Sequence, residues 1–167
     1  MRKFALLVAF VLVASGAQAA TLNVVDGQLM GASGVNVDGN LYDVQFLDGT
    51  CIGLYNGCDE ISDFTFQTEA SALLASQALL DQVFLDSPEG MFDSNPPLTN
   101  GCGFSGPAAC QAITPHSFSG APSPDFSAED AVSSGIAHNV GGPLNPLVMD
   151  QAFSDHRSVI SRSEYYG

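Results

Sequence analysis

Between Lys3 and Arg157 the chain contains no Lys and no Arg. Binding of duplex or single-stranded nucleic acid relies on clustered cations that displace phosphate counterions, and no such cluster exists here. A basic patch for anionic lipid is absent for the same reason. Tryptophan is missing altogether, so a sugar-binding cleft would lack its usual aromatic platform. Proline is missing up to Pro88, and all nine prolines fall between Pro88 and Pro146, mixed with Gly and Ser. That later composition favours turns and irregular coil over regular elements. No internal repeat is visible.

What is present begins with an export signal. Met1-Arg2-Lys3 is a basic start, Phe4 to Val13 is an unbroken apolar run, and Ala17-Gln18-Ala19 supplies the small residues a signal peptidase requires. The apolar run is about half the roughly 20 residues needed to cross a bilayer. Residues 1–19 are therefore expected to be removed, with 20–154 forming one exported domain and 155–167 a loosely held polar tail. The next apolar-rich stretch, Ala70 to Leu80, is broken by Ser71, Ser76 and Gln77, so no membrane span is expected after cleavage. Without the signal, two basic side chains face 18 acidic ones, a net charge of −16. Such a charge favours solubility and attracts cations, at a cost in self-repulsion.

The first half reads as an antiparallel meander. Leu22–Val25 meets Gln28–Met30 across Asp26-Gly27, and Val35–Val37 meets Leu41 onward across Asp38-Gly39. An Asp-Gly pair between short apolar runs is a strong hairpin signal, because the tight turn that matches strand twist needs positive φ. Tyr42-Asp43-Val44-Gln45-Phe46 alternates at period two, and Asp48-Gly49 ends it. Cation ligation is the other reading of these three pairs, and turn chemistry is the simpler one.

Cys51 to Phe66 reads as a Gly- and Asp-rich loop. The clearest helix follows, with Thr68 as N-cap, Glu69 at the positive end of the dipole, and good helix formers from Ala70 to Leu85. Leu73, Gln77, Leu80 and Phe84 fall on one face, with Leu74, Ala78 and Val83 nearby, and that face is expected to pack on the sheet. Further on, Ser127 and Asp130 have the spacing of a capping box, so a short helix is predicted to begin within Ser127–Val132, ended by Gly141-Gly142-Pro143. Nine phenylalanines outside the signal are the expected core anchors.

Four cysteines permit three pairings, among which sequence alone does not choose. Each local pair spans a loop that contains Gly, so Cys51–Cys58 and Cys102–Cys110 are expected as disulfides. Closing loops this short contributes roughly 2–3 kcal/mol each in the chain-entropy account. A four-thiolate zinc site is disfavoured by the wide spacings and by an oxidising compartment. His116, His138 and His156 lack helical pairing, and no Gly-x-Ser-x-Gly elbow is present. Acidic clusters occur at Asp59/Glu60/Asp63 and at Glu129/Asp130. The first supplies the metal-ligand candidates Asp59, Glu60 and Asp63, with calcium as the cation; otherwise no cofactor is expected. The nearest approach to an EF-hand loop, Gly34 to Gly39, has Gly where the first ligand belongs and Gln45 at the last.

The run Val35-x-Val37-x-Gly39-x-Leu41-Tyr42-x-Val44-x-Phe46-x-Asp48-Gly49-Thr50-Cys51 resembles the start of an exported bacterial domain found in proteins with the PEP-CTERM sorting tail. The likeness continues through Gly57-Cys58, Asp63-Phe64-x-Phe66, Ala78-Leu79-Leu80-Asp81-Gln82-Val83-Phe84 and Thr114-Pro115. It covers roughly residues 22 to 116 and is one of pattern. A sorting tail has a Pro-Glu-Pro motif, an apolar helix and a basic cluster, and Tyr165-Tyr166-Gly167 is reached here without them. The resemblance implies export in bacteria that make exopolysaccharide, and it carries no catalytic residues with it.

These readings converge on an α+β fold, an antiparallel β-meander with one main helix and a Pro/Gly-rich, disulfide-stapled second half. The expected function is that of an exported acidic protein of the envelope or matrix without catalytic activity, with exopolysaccharide or envelope components as partners. A cation-dependent carbohydrate-binding module using the Asp59–Asp63 loop is the first alternative. A carboxylate-based hydrolase, with two carboxyl groups facing across a cleft, is the second.

Overall fold

Two Asp-Gly turns set the first sheet. The computed structural model describes residues 19–49, 51–55, 60–102, 110–119, 131–139 and 152–158. Within it β1 (Thr21–Val25), β2 (Gln28–Val37) and β3 (Asn40–Gln45) form an antiparallel sheet in the order β1-β2-β3. Val25 pairs with Gln28 across Asp26-Gly27, and Val37 with Asn40 across Asp38-Gly39. The turn residues have φ of 52° and 81° in the first hairpin and 49° and 85° in the second. Positive φ at both central positions marks the type I′ turn that Asp-Gly favours.

The meander differs from expectation in the middle. Gln28–Met30 and Val35–Val37 are the two ends of a single ten-residue strand, β2. Strict alternation from Leu29 would have turned Ser33 into the core. Two register shifts prevent it. Asn23 pairs with Gly31 and Val24 with Leu29, which leaves Met30 as the extra residue, and Ser33-Gly34 together oppose Asp43. Each bulge re-phases the strand, so Leu29, Ala32, Val35 and Val37 are all buried while Ser33 is exposed. Gly34 takes φ of 73°, and its amide donates to Asp43 Oδ1 at 3.1 Å. Gly31 is required for space: a Cβ there would lie 2.1 Å from the Val44 carbonyl oxygen.

The segment read as a loop after Cys51 contains a one-turn helix, α1 (Cys51–Leu54), and a 3-10 turn over Ile61–Asp63. The main helix, α2, spans Glu69–Gln82. Thr68 caps it as predicted, its side chain accepting from the Ser71 amide at 3.2 Å. Its buried side chains are Ala72, Ala75, Ser76, Ala78, Leu79 and Leu80, followed by Val83 and Phe84. The predicted face is thus rotated. Leu80, Ala78, Val83 and Phe84 are inside, but Gln77 is exposed and Leu74 is 51% exposed.

The rotation has a cause: α2 packs against β2 on one side and against a second sheet on the other. Ser76 Oγ donates to Thr114 Oγ1 of that sheet at 3.2 Å. Toward its C-terminus, Gln82 bonds both backbone groups of Asn36, accepting at 2.9 Å and donating at 2.8 Å. Phe84 stacks on Phe46 with ring centroids 5.3 Å apart. Ala72, Ala75 and Ser76 are small, which lets the helix backbone come close to a neighbouring layer.

That second sheet overturns the expectation of coil. β6 (Cys110–Ser119), β7 (Ala131–Asn139) and β8 (Ala152–Ser158) pair antiparallel in the order β6-β7-β8. Pro115 sits in edge strand β6 beside a register shift, a position where a missing amide donor is tolerated. Ala131 and Val132, expected in a short helix, open β7; Ser127 to Asp130 and Gly141-Gly142-Pro143 lie outside the described residues. β8 crosses the boundary placed after Ser154, and Asp155 to Ser158 pair with Ser134 to Ala131.

Between α2 and β6 the chain is ordered by local bonds. β4 (Asp86–Ser87) and β5 (Gly90–Met91) form a short hairpin, and Pro96–Leu98 makes a 3-10 turn. Thr99 then bridges Leu29 in parallel. The Asn100 amide donates to Leu29 O at 2.9 Å, and its Nδ2 donates to Phe46 O at 2.7 Å. Leu29, Val35, Phe46, Leu79, Val83, Phe84, Phe92 and Ala112 belong to one continuous core. The fold is α+β, with antiparallel sheets and one main helix.

Candidate functional site

The acidic cluster around Asp59–Asp63 is the site the sequence offers first. Asp59 and Cys58 lie outside the described residues. Glu60 and Asp63 are described, and both carboxylates serve the 3-10 turn that contains Asp63. Asp63 Oδ2 accepts from the Glu60 amide at 3.1 Å, while the Asp63 amide donates to Glu60 O at 3.0 Å. The Ser62 hydroxyl donates to Glu60 Oε2 at 3.2 Å. Reciprocal bonds of this kind close a turn's open end. Below the turn, Phe64 is buried and meets the ring of Tyr55 edge-on at 5.4 Å, and burial pushes the Tyr55 hydroxyl pKa up. Among the described residues no group of three or more His, Cys, Asp or Glu side chains could hold a metal ion.

Asp86, a carboxylate not singled out from the sequence, accepts three hydrogen bonds. The amides of Asp93 and Ser94 donate to its Oδ1 at 3.0 and 2.9 Å, and the Ser94 hydroxyl donates to Oδ2 at 2.7 Å. These bonds, the Ser94 hydroxyl foremost, hold the Asp86 pKa below its ordinary value. The signal for it was the repeated Asp-Ser at Asp86-Ser87 and Asp93-Ser94 around Pro88-Glu89-Gly90, a turn composition. Asp43 and Asp81 follow the same habit, accepting from the Gly34 amide and from Gln77 Nε2 at 2.9 Å.

The histidines are brought nearer to one another than their sequence positions suggest. His116 is buried and is the extra residue of β6 between Pro115, which pairs with Ser134, and Ser117, which pairs with Ser133. His156 of β8 pairs with Ser133 from the other side of β7. His138 pairs with Gln111, away from that point. The approach of the His116 and His156 positions to Ser133 was not readable without the strand register.

Cys102 directly precedes residues 103–109, which are not described, and Cys110 opens β6. The described helices include none long and apolar enough to cross a membrane. Compared with known proteins, the chain matches no family model, no curated protein and no solved structure.

Proposed function

We propose that the chain is an exported acidic protein of the cell envelope or extracellular matrix that acts by association and not by catalysis. The observation that carries this reading is the employment of the carboxylates. Asp43, Asp63, Asp81 and Asp86 are bonded to amide or hydroxyl groups of the chain itself. Side chains committed in this way stiffen turns and bulges, while Asp26, Asp38, Asp48, Glu69 and Glu89 are exposed and make the described surface negative. Such a surface suits a hydrated polysaccharide matrix, where exopolysaccharide or envelope components bridged by cations are the partners.

In this reading the signal is cleaved after Ala19. Ala20 packs against the core and β1 starts at Thr21, so both stay with the mature protein. The disulfides are the local pairs, with Cys102–Cys110 linking the Thr99–Asn100 tie to the first strand of the second sheet. The carbohydrate-module alternative ranks second, because Glu60 and Asp63 already serve their own turn.

The test uses the exported, mature protein. It should bind acidic or neutral exopolysaccharide weakly, with magnesium as effective as calcium, and turn over no chromogenic glycoside, ester or peptide. A one-to-one calcium site tighter than about 10⁻⁵ M, lost in Asp59→Asn, would move the carbohydrate module to first place. Turnover abolished by a single carboxylate substitution would sink the non-catalytic reading.

A further inference from the structure

We propose that Asn100-Gly101 is a deamidation site that the native fold holds closed, so that opening of this one tie converts it irreversibly. Asn followed by Gly is the pair best suited to the reaction, because glycine lacks the Cβ that would hinder approach of its own amide nitrogen. The Gly101 nitrogen attacks the Asn100 side-chain carbonyl carbon, the amide nitrogen leaves as ammonia, and a cyclic imide forms. Water then opens the imide to Asp or to its β-linked isomer. No oxidant or cofactor is needed.

The structure blocks the first step. Asn100 is half-buried, and both its ends are fixed: the backbone amide on Leu29 O at 2.9 Å, and Nδ2 on Phe46 O at 2.7 Å. The Cys102 amide closes the turn on Thr99 O at 3.0 Å, and Gly101 is set at φ of 83°. Attack needs the side chain to leave Phe46 and swing toward Gly101, so the native rate follows the population of the locally opened state. Once converted, the residue presents a carboxylate oxygen where an N–H met the Phe46 carbonyl. Two acceptors then face each other just past the end of β3, and the tie does not re-form.

The experiment compares the oxidised full chain at pH 8.5, native and in guanidinium chloride, by peptide mapping over days. Asn56-Gly57 supplies the same dipeptide as the reference for the denatured arm. Asn100 is expected to convert at a rate comparable to Asn56 when denatured, and at least about tenfold more slowly when native. Equal native and denatured rates at Asn100 would overturn the proposal. Asn100→Asp should lower the denaturation midpoint at pH 8, with a smaller loss at pH 4, where the carboxyl can donate. An unchanged midpoint at pH 8 would refute the second half of the argument, that conversion prevents reclosure.

Discussion

The two three-stranded sheets reach the same antiparallel order by different means. In the first, successive strands are joined by two-residue Asp-Gly turns, and the pairing partners are close in sequence. In the second, the connections run from Ser119 to Ala131 and from Asn139 to Ala152. Long closures cost more chain entropy before any pairing rewards them. The second sheet therefore depends on what it packs against, and α2 touches all three of its strands. A sheet defined by its turns can be read from its residues; a sheet defined by its template cannot.

The sharpest way to break the first sheet is Gly31→Ala. The added Cβ would meet the Val44 backbone oxygen at 2.1 Å, and no side-chain rotation relieves a backbone clash. A loss of at least about 4 kcal/mol, in the exceptional range for one substitution, is expected in a denaturant melt. Gly27→Ala is the matched control: nothing lies within 4 Å of its Cβ, and only the positive φ is strained, for about 1–2 kcal/mol. If the two variants melt alike, the tight β2–β3 crossing is not what holds the sheet.

Whether the sheets stand or fall together is decided on α2. Leu79 is 6% exposed and lies in the shared core, so Leu79→Ala should cost about 2–5 kcal/mol. Leu74→Ala should be within about 0.5 kcal/mol, since Leu74 is 51% exposed. Hydrogen exchange would show both sheets losing protection in Leu79→Ala. Loss confined to the first sheet would mean that the second does not need the helix.

This helix also shows where reading stopped. Its start was legible because Thr68 and Glu69 carry explicit end chemistry. Its face was misplaced because large apolar residues, Leu73 and Leu74, drew the stripe toward themselves, while Ala72, Ala75 and Ser76 looked neutral. Small residues become core only when a second layer approaches, and that layer was hidden. Pro115, Gly135 and the serines of β6 and β7 read as turn formers; the structure takes Pro115 into an edge strand beside a register shift and pairs Gly135 on both sides within the central strand. At the candidate site, the closeness of Glu60 and Asp63 was visible, but their use in a reciprocal turn depends on backbone geometry. The Asp86 network joins residues seven and eight apart; the Asp-Ser repeat marks a turn there but does not say which carboxylate closes it.

A smaller effect tests the joint between helix and first sheet. Gln82 occupies the amide and carbonyl of Asn36 much as a neighbouring strand would. Gln82→Ala removes two bonds at an exposed edge, for a loss of about 1–2 kcal/mol, and should speed exchange of the Asn36 amide selectively. Unchanged exchange there would show that Gln82 is decorative.

The smallest expected change is also the one with a pH signature. The Asp86 pKa is lowered in the fold from its ordinary value of 3.8, chiefly by the Ser94 hydroxyl and then by the Ser94 amide. A depressed carboxylate pKa means that the unfolded chain binds the proton more readily. The contribution of Asp86 is therefore complete above the unfolded value and is lost as pH falls through the lower folded value. Asp86→Ala should cost about 1 kcal/mol at neutral pH, as loss of a capping side chain does. The difference between wild type and variant should shrink as pH drops below about 3.8, the ordinary value. The side chain is exposed, so salt should weaken the effect only slightly if the amide and hydroxyl bonds dominate, and strongly if diffuse charge does. A variant whose deficit persists unchanged down to pH 2 would place the role of Asp86 in shape alone, with its ionised carboxylate contributing nothing to the loop that leads from α2 toward the second sheet.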